Sequence, residues 1–268
     1  MKKYILLLLL CAVGFYVHKY YGAKSILRIG VECDYAPNNW LEDHQTDTNF
    51  PLENEPGHYA EGYDLQIAKR VADELHAELV VRKVVWGDLI PALNRQEIDA
   101  IFSGMLDTEE RRKEAAFSNV YDVSQIEYTI IVNKASPYAD AKTINDFAGA
   151  RLVAQKDTLL DAAISQIPGA VHLPPVNTVT EMLDMVVNNE IDGTVINFDT
   201  GQTYERKHKN LTMIRFPEGS GFSLDYSGIC AGVRKGNTKL LSEINAALAK
   251  ISRRDRQRVM DRSVSRAM

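Results

Sequence analysis

Cysteine is scarce in this chain. Its 268 residues contain three, and Cys11 lies in the N-terminal leader, so the body holds only Cys33 and Cys230. Two thiols leave two states open, one bridge in an oxidising compartment or two buried free groups. A surplus of positive charge is also missing. The formal net charge is -5, which argues against nucleic acid as a partner. The six histidines, His18, His44, His58, His76, His172 and His208, fall in the leader, in loops or at helix ends. They have no metal-ligand spacing and read as scattered surface residues, so neither a metal nor another cofactor is expected. No nucleophile stands beside a base, which leaves catalysis without a visible centre.

The length exceeds what one core usually needs and suits two lobes. Lys2-Lys3 precede an apolar run from Tyr4 to Val17, the n-region and h-region of a signal peptide and short for a spanning helix. Three outcomes fit residues 1–23: cleavage after Ala23, retention as a signal anchor, or lipidation at Cys11. The last is disfavoured because Leu10 is not small. All three place the body outside the cytoplasmic membrane.

The most informative stretch runs from Trp86 to Asn119. Trp86, Leu89, Ile90 and Leu93 form one apolar stripe of a short helix. Ile98–Phe102 has the pattern of a buried strand. It runs into Ser103-Gly104-Met105, where Gly104 permits close approach of the backbone. Asp107-Thr108 then offers N-cap residues for a helix carrying Arg111 in its first turns. A strand end with backbone N–H groups, Ser103 and a permanently charged guanidinium suits a carboxylate ligand. An ordinary turn with a solvated arginine has the same spacing.

Along the rest of the chain, Ile26–Val31 predicts a strand ending at Glu32-Cys33-Asp34-Tyr35. Residues 38–62 predict a long polar loop with a hairpin near Phe50-Pro51-Leu52. Asp64 is placed to cap a helix through Leu75, and Leu79–Val85 is the next strand. A second β-α-β-α run follows: strands at Glu127–Lys134, Arg151–Ala154, Ala170–Leu173 and Gly193–Ile196, with helices from Thr158 and from the capping box Thr178–Glu181. The theme appears twice without a sequence repeat, which predicts two α/β lobes. A late strand, Gly228–Val233, precedes a helix from Asn237-Thr238 and a last helix with six arginines from Arg253 to Arg266. That run reads as a solvated face or, more sharply, as a docking or membrane-surface patch.

The order of these motifs resembles the polar amino-acid family of bacterial extracellular solute-binding proteins, family 3, the capture subunits of ABC importers. The resemblance is carried by Trp86-Gly87-Asp88-Leu89-Ile90-Pro91-Ala92-Leu93, Ile98-Asp99-Ala100-Ile101, Ser103-Gly104-Met105, Thr108-Glu109-Glu110-Arg111 and Phe117-Ser118. Gly30 to Pro37, Gly62-Tyr63-Asp64-Leu65 and Gly232 to Gly236 extend it over nearly the whole body. It implies a two-lobed α/β fold of the type II periplasmic-binding-protein kind, with lobe 1 at 24–126 and 223–268 and lobe 2 at 127–222. The crossings would lie near Ser124–Tyr128 and Phe222–Ser227. The implied protein is a monomer that closes on an amino acid and delivers it to a membrane permease.

By the same resemblance, Arg111 and Thr158 hold the ligand's carboxylate from opposite lobes, and Tyr35 and Trp86 flank its side chain. Ser103, Gly104 and Met105 form the strand-end wall, and Glu32 faces a cationic tip. Local readings compete: a plain N-cap for Thr158, core packing for Trp86, a solvated strand-end acid for Glu32. Two positions depart from the family. Asn197 stands where an acid usually holds the α-ammonium, with Asp199 two residues on as a substitute. Asp157 replaces a usual glycine beside the carboxylate subsite. A polar or cationic amino acid is the expected ligand. The rivals are an enzyme on the same scaffold, since relatives include a dehydratase, and a sensor without transport.

Overall fold

The computed structural model describes residues 25–122, 127–223 and 228–267. The chain begins with β1 (Ser25–Val31), whose Leu27, Ile29 and Val31 are buried. Next come β2 (Asp34–Tyr35), β3 (Asn39–Glu42), β4 (Phe50–Pro51) and β5 (Tyr59–Glu61), paired as an antiparallel sheet in the order β2-β3-β5-β4. The predicted long loop is therefore a small sheet. Its strands are too short for an apolar alternation, and side-chain hydrogen bonds hold its base instead. Asn39 accepts the Cys33 N–H at 2.8 Å and donates to Asp64 at 2.8 Å.

Asp64 does not cap the next helix, α1 (Tyr63–Glu74). The helix starts two residues earlier than that cap would place it, with Gly62 at its cap and no side-chain cap bond. Asp64 is instead fully buried, and its carboxylate accepts from Asn39 and, at 2.7 Å, from the Tyr121 hydroxyl. β6 (Ala77–Lys83) lies parallel to β1. A 3₁₀ turn at Trp86–Asp88 leads into α2 (Leu89–Asn94). The predicted stripe buries Leu89 and Leu93 and leaves Trp86 and Ile90 half-buried. All of Ile98, Ala100, Ile101 and Phe102 is buried, but the ladder is shorter than predicted, β7 (Ala100–Ile101). α3 (Glu109–Arg112) and β8 (Ala115–Val120) complete this part.

The second part comprises β9 (Tyr128–Asn133), β10 (Arg151–Val153), α4 (Leu159–Ala163), β11 (Val171–His172), α5 (Val179–Val187), β12 (Gly193–Asn197), α6 (Phe198–Lys207) and β13 (Leu211–Ile214). Its sheet has the order β11-β10-β12-β9-β13, with β9 buried throughout and antiparallel to both neighbours. Thr178 caps α5 by accepting the Glu181 N–H at 3.1 Å. The other half of the predicted box is altered, because the Glu181 carboxylate accepts from Asn177 N–H at 3.2 Å.

The chain then returns to the first sheet. β14 (Cys230–Arg234) inserts antiparallel between β7 and β8, giving β6-β1-β7-β14-β8. α7 (Thr238–Ala249) and α8 (Arg253–Arg266) follow. The two lobes have separate apolar cores, one of β1, α1, β14 and the last helices, the other of β9, β10, α5 and β12. The arginine run of α8 is not uniformly solvated. Arg256 turns inward and donates to the carbonyls of Val120 at 2.9 Å, Leu248 at 2.6 Å and Ile251 at 3.1 Å. Cys33 and Cys230 are separate, buried free thiols. No helix among the described residues is long and apolar enough to cross a membrane. The leader and most of both predicted crossings lie outside the described residues.

Candidate functional site

A small cavity lies between the lobes. The first lobe contributes Glu32 and Tyr35 from the end of β1 and from β2, Trp86 before α2, and Ser103, Gly104, Leu106 and Arg111 beyond β7. The second lobe contributes Tyr128, Gln155, Thr158, Leu159, Leu160 and Asn197. Most lie at strand ends or in the turn that follows, where open α/β sheets present ligand-binding groups.

Arg111 is placed by a short capped helix: Thr108 accepts the Arg111 N–H at 3.2 Å. Its guanidinium donates to the Leu106 carbonyl at 2.8 Å and, across the cleft, to the Asp157 carbonyl at 3.2 Å. It also lies 5.0 Å from the centroid of the Trp86 ring, a cation–π distance. Trp86 Nε1 donates to the same Asp157 carbonyl at 3.1 Å. One backbone oxygen of the second lobe thus receives two donors of the first. Burial lowers the Arg111 pKa, yet a guanidinium stays charged in water-accessible proteins at any physiological pH.

Asp157 has φ +61. That left-handed conformation favours glycine but is adopted by aspartate more readily than by most residues. Asp157 is exposed, does not line the cavity, and its Oδ2 lies 3.7 Å from where a Cβ on Gly87 would sit. The acid is therefore turned out of the cavity. Thr158, next to it, caps α4 by accepting the Asp161 N–H at 3.3 Å, and its hydroxyl donates to the Gln155 carbonyl at 2.6 Å.

Glu32 is 5% exposed. Its backbone N–H donates to Ser103 Oγ at 2.9 Å, which fixes the strand end against the β7 turn. Its carboxyl accepts from Gln155 Nε2 across the cleft. Burial, reinforced by the nearby Asp34 charge and opposed by the Gln155 hydrogen bond, pushes its pKa up to about 8. Gly104 has φ +63, and a Cβ there would stand 2.8 Å from a Tyr35 ring carbon. The glycine lets the ring lie directly on the backbone.

Two predicted site residues do not line the cavity. Met105 is buried in a cluster with Leu89, Leu93 and Ile98, because the turn after Gly104 directs it to the opposite face. Asp199 lies in the first turn of α6, past the lining residue Asn197, and is absent from the lining. Asn197 ends β12 and occupies the N-cap position of α6 without making a side-chain cap bond. Sequence reasoning missed Gln155, Tyr128, Leu106, Leu159 and Leu160. Gln155 was findable: it stands just beyond β10 as Ser103 stands just beyond β7. Outside the cavity lining, the described residues bring Glu42, Asp43 and His44 within 4.8 Å as possible metal ligands. His44 is already paired with Asp43 at 2.8 Å.

The sequence pattern of the bacterial extracellular solute-binding proteins, family 3, matches residues 27–262. The chain is 30% identical to the ABC transporter glutamine-binding protein GlnH of Bacillus subtilis over 217 residues, 77% of this chain and 74% of that protein. It is 26% identical to an L-arginine-binding protein of Pseudomonas aeruginosa over 233 residues, 85% and 83% of the two chains. Among solved structures, holo ArgBP from T. maritima superposes with a TM-score of 0.68 at 29% identity, covering 89% of this chain and 95% of that one.

Proposed function

The chain belongs to family 3 of the bacterial extracellular solute-binding proteins, and from that premise we propose that it captures a polar or cationic amino acid and delivers it to an ABC permease. In this reading residues 24–126 and 223–268 form one lobe and 127–222 the other, and residues 1–23 are a signal peptide or anchor. The membership of the two five-stranded sheets supports that division. The protein works as a monomer outside the cytoplasmic membrane. Arginine and glutamine, the ligands in the relatives' names, are the first candidates.

One observation carries the reading: a fixed cation, Arg111, and a buried carboxyl, Glu32, line the same interlobe cavity. An amino acid presents a carboxylate for the first and, in arginine or glutamine, a distal donor for the second. Thr158 and the first N–H groups of α4 approach the carboxylate from the other lobe. Tyr35 and Trp86 supply flat apolar faces for the side chain. A ligand that bridges both lobes favours the closed state by its differential contacts.

Native mass spectrometry of protein purified without refolding, followed by calorimetry across the amino acids, amines and dicarboxylates, tests the proposal. Retention of a polar or basic amino acid with micromolar or tighter affinity is the expected result. Binding of none of the amino acids would overturn it.

A further inference from the structure

The hydrogen bonds that cross the cleft near the site include three groups. Two involve side chains that line the cavity: Arg111 and Trp86 on the Asp157 carbonyl, and Gln155 on Glu32. The third does not. Asp34, in β2 of the first lobe, receives the backbone N–H of Thr180 on Oδ2 at 3.1 Å and the Thr180 hydroxyl on Oδ1. Thr180 is the second residue of α5 in the other lobe. Asp34 lines a groove beside the cavity, together with Trp40, Lys83 and Tyr204, and is absent from the cavity's own lining.

The first turn of a helix carries N–H groups without intrahelical acceptors and a partial positive charge. In α5 one of these groups, Glu181 N–H, is met from within its own lobe by Thr178. The Thr180 N–H is met by a carboxylate from the opposite lobe. Separation of the lobes would break that contact and return both partners to water, whereas a ligand in the cavity would not displace it, because neither residue lines the cavity.

We propose that Asp34 is a positioning residue that sets the balance between open and closed lobes by capping α5 across the cleft, without touching the ligand. This rests on the reading that the cleft binds by closure. It has a sharp consequence. When only the closed state binds tightly, apparent affinity scales with the fraction of molecules able to close. Loss of the Asp34 contact then weakens every ligand by one common factor. The contact is solvent-exposed, and loss of such a cap corresponds to a factor of about 2-fold to 30-fold.

The test has two readouts. Spin labels at Asn94→Cys and Glu190→Cys, both exposed sites, report the distance between lobes in a Cys11→Ser background, where Cys33 and Cys230 are buried and do not compete for label. In the ligand-free protein, Asp34→Ala and Thr180→Val should each shift the distances to longer values. Thr180→Ser, which keeps both donors, should restore the parent distribution, and the double variant should add little to either single one. With L-glutamine and L-asparagine as probes, whose uncharged side chains are insensitive to the Asp34 charge beside Glu32, Asp34→Ala should lower both affinities by the same factor through faster dissociation. Unchanged distances in ligand-free Asp34→Ala and Thr180→Val overturn the proposal. So does an affinity loss confined to one probe, which would place Asp34 against the ligand. The distance measurement needs no ligand, so it stands or falls apart from the assignment of amino-acid binding.

Discussion

Gln155 reaches across the cleft to donate its side-chain N–H to the Glu32 carboxyl, and the same nitrogen donates to the Asn177 carbonyl at 3.1 Å. A neutral amide is thus the partner of a buried acid. Without a cation nearby, burial keeps that acid's pKa up at about 8, so at neutral pH it is mostly protonated. A guanidinium or ammonium tip brought beside it reverses the balance, because an adjacent opposite charge favours the ionised form.

The first prediction follows directly. Binding of L-arginine or L-lysine at pH 7 should release up to one proton, seen by calorimetry as an enthalpy that depends on the buffer's ionisation heat. Affinity for these ligands should rise with pH between about 6 and 8, since the acid must lose its proton to pair. L-glutamine should show neither effect, and Glu32→Gln should abolish both. Buffer-independent enthalpy for a tightly bound basic amino acid would remove Glu32 from the ligand's distal end.

Arg111 carries the second prediction. Arg111→Ala removes a half-buried, forked donor and should weaken an amino-acid ligand by roughly 2–5 kcal/mol. Arg111→Lys keeps a charge but not the fork, and should recover only part of the loss. Circular dichroism controls for folding. Affinities within about twofold of the parent for both variants would place the carboxylate elsewhere in the cavity.

The third prediction concerns stability. Burial raises Asp64 to about 6 and Asp122 to about 7, as it raises Glu32 to about 8. Hydrogen bonds from Tyr121, Asn39 and Gly104 offset the effect at Asp64 only in part. The folded state therefore holds these protons at pH values where the unfolded chain has released them. Stability from this source is fully present below about pH 4 and is lost as pH rises to about 8. Glu53, held low by its hydrogen bond from Arg28, acts in the opposite sense only as pH falls toward 4. The ligand-free protein should melt several degrees higher at pH 5 than at pH 8, at about 2–4 °C per kcal/mol for a chain of this size. Glu32→Gln should flatten the slope. A melting temperature that rises steadily from pH 5 to pH 8 contradicts the assignment.

The lobes and the arginine end of the cavity were legible in the sequence because local patterns specify them. Ile98–Phe102 is apolar enough to be a buried strand, and Thr108 to Arg111 is a capped helix start wherever it falls. What was not legible depends on partners chosen in three dimensions. Asp64 has the local setting of a helix cap, but Tyr121 and Asn39, distant in sequence, claim its carboxylate. Gln155 looks like any polar residue after a strand until Glu32 stands opposite it. Met105 follows two lining residues directly, yet the turn at Gly104 sends it into the core. The hairpin near Phe50-Pro51 was legible, but β2, β3 and β5 escaped because two to four residues carry no measurable period.

Asn197 carries the last prediction. It lines the cavity at the junction of β12 and α6, where the family resemblance calls for an acid against the α-ammonium. Asparagine offers that ammonium one carbonyl acceptor and no charge. A neutral hydrogen bond contributes about 0.5–1.5 kcal/mol and a charged one about 1.5–3 kcal/mol. Asn197→Asp should therefore tighten α-amino acids by about 10-fold and leave the corresponding des-amino acids unchanged or weaker. A negative charge at the start of a helix is also favourable, so the substitution should slightly raise the melting temperature of the ligand-free protein as well. The comparison between each amino acid and its des-amino analogue separates the two effects, because capping alone acts equally on both. Equal tightening of the pair, or none, would mean that the α-ammonium does not sit at Asn197. The natural ligand would then be held by Arg111 and Glu32 without help from a third charged group.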